Sequence, residues 1–176
     1  MGNYLENSDC GGIGGSGSIG RNGVRRVDRR ITLIVVHCTA TRVDRDFPEQ
    51  ELLRCHRARG MKMVGYHFYI RKDGFIHSTR PLEMVGAHAK RYNTESIGIA
   101  YEGGLSPQGL PADTRTKRQK YSMRALIRTL KKEFAISHVC GHRDLSPDRN
   151  GNRVIEPHEW MKQCPCFDVV GDAWCE

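Results

Sequence analysis

Hydrophobic residues fall along the chain in short continuous runs, which predict strands, and in segments of helical period, which predict helices. The run ITLIVVH at 31–37 is rich in β-branched residues, so we expect a central strand buried on both faces. The dipeptide Asp73-Gly74 separates two apolar runs and predicts a β-hairpin. Residues 96–103 and 138–142 predict two further strands.

Two segments have the spacing of amphipathic helices. Pro48 begins the first, predicted over 48–59, and Gly60 ends it. The second is predicted over about 114–134, where apolar residues recur on one face. This order of elements predicts a single α/β domain at 29–176, with a central mixed β-sheet flanked by helices.

Residues 1–28 are rich in glycine and serine and have almost no apolar periodicity. Such a segment buries too little surface to offset its ordering entropy, which predicts a disordered arm. It also has neither the basic nor the apolar region of a secretory signal, so we expect synthesis in the cytoplasm without a signal peptide.

A chain of 176 residues is about the right length for one domain, and its 38% hydrophobic and 27% charged residues are typical of a soluble globular protein. No apolar run approaches the roughly 18 to 20 residues needed to cross a bilayer, so no membrane insertion is expected. The seven cysteines have neither the spacing of a zinc ribbon nor that of a disulfide framework, which favours a reduced compartment.

The formal net charge of +8 is concentrated in residues 114–132, which contain eight lysines and arginines and no acidic residue. A basic helix face of this kind suits an anionic partner such as nucleic acid, anionic lipid or cell-wall polymer. The simpler interpretation, which we prefer, is a solvated helix face.

Two histidines and one cysteine are candidate metal ligands. His37 ends the first buried strand, His142 ends the last, and Cys164 follows in the segment KQCPCF. Imidazole nitrogen and thiolate sulfur suit zinc, and three protein ligands leave one position for water or substrate. Spacing alone does not distinguish this open site from separate structural roles.

Five segments, taken in order, resemble those of the type 2 N-acetylmuramoyl-L-alanine amidases, most closely the short phage-lysozyme type. The resemblance covers roughly 31–168. The segments are VVHCTAT (35–41), VGYHFYIRKDG (64–74), GAHAKRYNTESIGIAYEGG (86–104), GHRDLSP (141–147) and KQCPCFD (162–168).

The resemblance implies one zinc ion bound by His37, His142 and Cys164, and it assigns catalytic roles to Tyr66 and Lys162. Zinc would polarise the scissile carbonyl and lower the pKa of a bound water to about 7. Lys162 would stabilise the charge that develops on the carbonyl oxygen, and Tyr66 would orient the water or donate a hydrogen bond.

Other residues of the matching segments have less defined roles. The resemblance places His88 and Asn93 among the substrate contacts. Strand alternation turns His67 away from Tyr66 and Cys38 away from His37, so His67 and Cys38 are predicted to pack in the interior.

The implied activity is hydrolysis of the amide between N-acetylmuramic acid and L-alanine in peptidoglycan, by a monomer that reaches the wall after release or non-classical export. The alternative is a non-catalytic peptidoglycan-binding domain, because the animal peptidoglycan recognition proteins are more distant relatives. Non-catalytic relatives typically lose the cysteine, so the presence of Cys164 favours catalysis.

The segment 148–159 is longer than in the short phage enzymes and partly matches a calcium-binding loop. Asp148, Asn150, Asn152 and Glu159 occupy ligand positions one, three, five and twelve. Arg153 occupies the sixth position, where such loops require glycine. The alternative is an ordinary polar turn that leads into a helix at residue 157.

Overall fold

The computed structural model describes residues 27–169, in which seven strands and two α-helices follow one another. The arm predicted over 1–28 lies outside this range except for its last two residues, and the side chain of Val27 packs against the core. The strands are β1 (Leu33–Cys38), β2 (Thr41–Arg42), β3 (Phe68–Ile70), β4 (Ile76–Ser78), β5 (Ser96–Tyr101), β6 (Gly104–Leu105) and β7 (His138–Gly141). The helices are α1 (Glu49–Arg57) and α2 (Lys117–Glu133).

Five strands form one sheet in the order β4-β3-β5-β1-β7. β1 lies between β5 and β7 and is parallel to both, whereas β4 pairs with β3 in the antiparallel direction. The predicted central mixed sheet is therefore confirmed. Because β1 and β7 run in the same direction, their carboxyl ends meet at the same edge of the sheet.

Each face of the sheet is covered by one helix. On one face, Ile34 and Val36 of β1 belong to the same core cluster as Met123 and Ile127 of α2. On the other face, Leu52 of α1 packs with Tyr69 and Ala100. His37 is paired in register with Ala100, so its side chain points to the α1 face.

Helix α2 begins with a capping box. The hydroxyl of Thr116 accepts the backbone N–H of Gln119 at 3.0 Å, and the Gln119 side chain accepts the N–H of Thr116 at 3.0 Å. This cap places the first helical residue three positions later than predicted. Neither helix in the described part of the chain is long and apolar enough to cross a membrane.

The basic side chains of α2 lie on the face turned away from the sheet, where Lys117, Arg118, Arg124, Arg128 and Lys132 are exposed. Since His37 points to the opposite face of the sheet, this basic surface is separated from the candidate metal ligands. Binding of an anionic partner there stays a prediction.

Glu102, which directly follows β5, is a fully buried carboxylate that joins three segments. One oxygen accepts the backbone N–H of Phe47 at 2.8 Å. The other accepts Nε of Arg71 at 2.7 Å and the backbone N–H of Lys72 at 3.2 Å. The carboxylate thereby fixes the chain before α1 against the end of β3.

Replacing Glu102 with glutamine is expected to lower the free energy of unfolding by about 3 kcal/mol, because it leaves buried donors without their charged acceptor. Thermal unfolding should show a decrease in Tm of roughly 6 to 12 °C for a domain of this size. Glu133→Gln, at an exposed position at the end of α2, is the control. Equal effects of the two substitutions would contradict this role for Glu102.

Candidate metal centre and active site

Three predicted ligands meet at the carboxyl edge of the sheet. His37 lies near the end of β1, His142 begins the 3-10 turn that follows β7, and Cys164 approaches from the last described segment. One ligand atom from each lies within 4.8 Å of the other two. His142 was predicted to end the strand and lies one residue beyond it.

One distance between these donors is close to the value expected for zinc. Nδ1 of His37 lies 3.8 Å from Sγ of Cys164. Tetrahedral zinc with ordinary Zn–N and Zn–S bonds would place these two atoms roughly 3.6 Å apart. Two imidazole nitrogens and one sulfur also form a donor set that zinc prefers, with a fourth position left for water or substrate.

The ring of His37 is oriented by His88. Nε2 of His37 lies 3.1 Å from Nδ1 of His88, and Nε2 of His88 lies 3.4 Å from the hydroxyl of Ser96. Burial lowers the pKa of His37 well below its ordinary value and that of His88 to about 3, so both rings are neutral. When His37 donates its Nε2–H to His88, its Nδ1 lone pair is free to face Cys164 and a metal.

His88 is itself held in place by its surroundings. The Oδ1 atom of Asn93 accepts the backbone N–H groups of His88 and Ala89 at 2.9 and 2.8 Å. A Cβ atom at Gly98 would lie 2.5 Å from the His88 ring, so glycine is required there. The structure thus shows that His88 and Asn93 support a candidate metal ligand, and their contacts with substrate stay a prediction.

Cys164 is positioned by the main chain of neighbouring strands. The backbone N–H of Cys38 donates to its sulfur at 3.3 Å. The next residue, Pro165, follows a cis peptide bond, and its carbonyl accepts the hydroxyl of Tyr101 at 2.7 Å. A Cβ atom at Gly141 would lie 2.6 Å from the Pro165 ring. The segment after β7 is therefore packed closely enough to hold the sulfur at the edge of the sheet.

Tyr66 and Lys162, the two predicted catalytic residues, lie beside the ligands. The ring centroid of Tyr66 is 5.0 Å from that of His37, and burial raises the pKa of Tyr66 above its ordinary value. Lys162 is exposed. Burial, followed by the charge of Lys162, lowers the pKa of His142 to about 4. A phenol and an ammonium group therefore border the cluster of donors.

His56 supports this site but was given no role from the sequence. It is buried on α1, and its ring centroid lies 5.3 Å from that of Tyr66. Nδ1 of His56 accepts the backbone N–H of Gly65 at 3.0 Å, which fixes the residue before Tyr66. The available signal was its position on the apolar face of the predicted helix.

The remaining cysteines and histidines of the matching segments are packing residues. His67 is fully buried, and its ring accepts the backbone N–H of Gly98 at 3.0 Å. The sulfur of Cys166 lies 3.9 Å from that of Cys38 in the core that also contains α2. Cys166 lies two residues from Cys164 but belongs to neither group of possible metal donors found among residues 27–169.

The predicted calcium loop receives no support from the structure. Both carboxylate oxygens of Asp148 accept backbone N–H groups of the same turn, at 2.6 and 2.7 Å. Asn150 and Asn152 each accept the N–H two residues further on, at 3.0 and 2.8 Å. Glu159 accepts N–H groups at 2.6, 3.3 and 3.0 Å. These oxygens stabilise the polar turn that was the alternative, and a 3-10 turn at Pro157–Glu159 follows it.

Comparison with known proteins gives consistent matches. The family model described as N-acetylmuramoyl-L-alanine amidase matches residues 27–166. The endolysin of Klebsiella phage KP32 is 34% identical over 136 residues, which cover 77% of this chain and 81% of that protein. A peptidoglycan-recognition protein of Drosophila melanogaster is 34% identical over 96 residues, covering 49% of this chain and 52% of that protein.

Solved structures agree with these sequence matches. The N-acetylmuramoyl-L-alanine amidase LysC from Clostridium intestinale superimposes with a TM-score of 0.62 and 31% sequence identity, covering 81% of each chain. The similarity in fold therefore extends over most of this chain.

Proposed function

Since this chain belongs to the N-acetylmuramoyl-L-alanine amidase family, we propose that it hydrolyses the amide between N-acetylmuramic acid and L-alanine in peptidoglycan and that it requires zinc for this reaction. The observation that supports this proposal most directly is the cluster of His37, His142 and Cys164, whose donor atoms lie within 4.8 Å of one another. The similarity to a phage endolysin also supports a wall substrate.

Bound by these donors, zinc would supply Lewis acidity toward the amide carbonyl and a water whose pKa is lowered to about 7. The protein's own contribution is to hold the donors in position. The hydrogen bond between His37 and His88 fixes one imidazole, and the N–H of Cys38 fixes the sulfur of Cys164.

Lys162 and Tyr66 have different roles in amide hydrolysis. Negative charge grows on the carbonyl oxygen as water adds, so the ammonium of Lys162 stabilises the transition state more than the bound substrate. The raised pKa of Tyr66 keeps its hydroxyl protonated. Tyr66 is therefore a hydrogen-bond donor that orients water or substrate.

The alternative function is binding of peptidoglycan without hydrolysis, as the likeness to a recognition protein would allow. Cys164 argues against it, because a pure binding module has no need for a donor set with an open fourth position. The two functions differ in a single measurable property, the release of peptide from the sugar.

Incubation of purified peptidoglycan fragments with the zinc-loaded protein tests the proposal. We expect mass spectrometry to detect free peptides that begin with L-alanine, together with glycan whose N-acetylmuramic acid retains an unsubstituted lactyl carboxylate. Removal of zinc by a chelator should stop the release, and added zinc should restore it. Binding of fragments without release would favour the recognition function, and cleavage at any other bond would contradict the proposal.

A further inference from the structure

Two cysteine side chains from distant parts of the sequence are in direct contact. Sγ of Cys38, the last residue of β1, lies 3.9 Å from Sγ of Cys166, which is 128 positions further along the chain. Cys38 is buried and Cys166 is half-buried, and both are free thiols. Tertiary folding therefore brings together two groups that can be joined by a covalent bond.

The surroundings of the two thiols hold them in this arrangement. A Cβ atom at Gly104 would lie 2.5 Å from Sγ of Cys38, so the absence of a side chain at that glycine leaves the space that the thiol occupies. The residue before Cys166 is also anchored, because the carbonyl of Pro165 accepts the hydroxyl of the buried Tyr101 at 2.7 Å. The contact between the sulfurs thus lies in a closely packed part of the fold.

Cys38 contacts both cysteines of the last described segment. Its backbone N–H donates to the sulfur of Cys164 at 3.3 Å, whereas its side chain meets Cys166. A covalent bond at the second contact would keep the first in place, because both contacts join the end of β1 to the same three residues of chain. Such a bond would not use the sulfur of Cys164, the candidate metal ligand.

We propose that Cys38 and Cys166 form a disulfide bond on oxidation and that this bond ties the segment carrying Cys164 to β1. The oxidant is an external disulfide, RSSR. The sulfur of Cys166, the less buried of the two, attacks one sulfur of RSSR and releases RS⁻, and the sulfur of Cys38 then displaces a second RS⁻ from the mixed disulfide. The two thiol protons pass to the two RS⁻, so one RSSR yields one protein disulfide and two RSH.

The proposed function provides the change of surroundings that such a pair requires. Thiols stay reduced in the cytoplasm, whereas disulfides persist in the periplasm and outside the cell. Peptidoglycan lies outside the cytoplasm, so a wall hydrolase meets oxidising surroundings after its release. This timing rests on the proposed function, but the pairing of the two sulfurs does not.

The test is incubation of the zinc-loaded full chain with glutathione disulfide, followed by alkylation of the remaining thiols, digestion with trypsin and mass spectrometry. Hydrogen bonds with neighbouring sulfurs raise the pKa of Cys38 to about 12 and also raise that of Cys166, which slows exchange. A second sample is therefore refolded with zinc in the same reagent. We expect peptides 31–42 and 163–176 to be joined by one disulfide, which fragmentation assigns to Cys38 and Cys166.

The oxidised protein should also be more stable and should keep its zinc. A bond that closes a loop of 128 positions restricts the unfolded chain, and we expect it to raise Tm by roughly 5 to 15 °C until dithiothreitol reverses the change. Cys166→Ser should lose both the cross-link and the increase in Tm. Cys140→Ser is the matched control and should keep both, because Cys140 is also a half-buried free thiol but lies on β7.

Two results would overturn the proposed disulfide. One is absence of the cross-link from both wild-type samples, and the other is an equal increase in Tm in oxidised Cys166→Ser. A bond from Cys38 to Cys164 would contradict it as well, and that bond would be accompanied by loss of zinc. Because the cross-link is detected without any substrate, a protein that releases no peptide from peptidoglycan would fail as an amidase and still give a decisive result for this pair.

Discussion

Cys164→Ser is expected to abolish stable zinc binding and to lower kcat/KM for muropeptide hydrolysis by at least about a thousandfold. Serine supplies a neutral hydroxyl in place of a soft thiolate, so the site keeps only two strong donors, His37 and His142. Loss of the metal removes several kcal/mol of transition-state stabilisation, and each 1.36 kcal/mol corresponds to a factor of ten in rate. Metal analysis after dialysis and initial rates on the same samples measure both effects.

Cys166→Ser is the control for this experiment, because Cys166 lies two residues away and its sulfur faces Cys38 instead of the donors. It should retain one zinc ion per chain and hydrolyse muropeptides. If Cys164→Ser kept its zinc while Cys166→Ser lost it, the third ligand would be Cys166. Retention of zinc by both variants would show that neither cysteine is required.

The larger elements could be predicted because their signals are local. The β-branched run at 31–37 became β1, and the segments on either side of Asp73-Gly74 became β3 and β4. The apolar stripe of the second predicted helix is buried in α2 as expected, at Met123, Ile127 and Leu130. Each of these elements is either long enough to show its hydrophobic pattern in the sequence or adjoins a turn with a specific sequence.

The small sheet formed by β2 and β6 was not predicted from the sequence. Two-residue strands are too short for any period to appear in the sequence. They form because segments distant along the chain are brought together, as in the hydrogen bond from the N–H of Thr41 to the carbonyl of Gly103 at 3.1 Å. Pairing of this kind depends on the tertiary fold and leaves no local signal.

The candidate site likewise combines features that have a local signal in the sequence with contacts that depend on the tertiary fold. Residue type made His37, His142 and Cys164 candidate ligands, but only the resemblance to a family joined the three in one site. The pairing of His37 with His88 spans 51 positions of sequence and depends on the space that Gly98 leaves for the second ring. Neither residue type nor spacing contains that information, so the sequence did not indicate that His88 orients the ring of His37.

Lys162→Ala is expected to lower kcat by about 10²- to 10³-fold while leaving zinc content and KM close to those of the wild type. The substitution removes a positive charge from the border of the donor cluster, where that charge contributes to lowering the pKa of His142. Loss of one group that stabilises a developing oxyanion typically has an effect of this size. Because the charge on the carbonyl oxygen grows only as the transition state forms, the loss should appear in kcat.

Lys132→Ala is the matched control for charge, since Lys132 is exposed on α2, against the opposite face of the sheet from His37. It should preserve both kcat and zinc content. Stopped-flow or initial-rate measurements at saturating muropeptide, with metal analysis of each sample, separate loss of turnover from loss of metal. Wild-type turnover in Lys162→Ala would exclude the electrostatic role of Lys162 even if the three ligands are correct. Zinc loss in that variant would instead assign Lys162 to the integrity of the metal site, because removing a nearby positive charge should not by itself weaken cation binding.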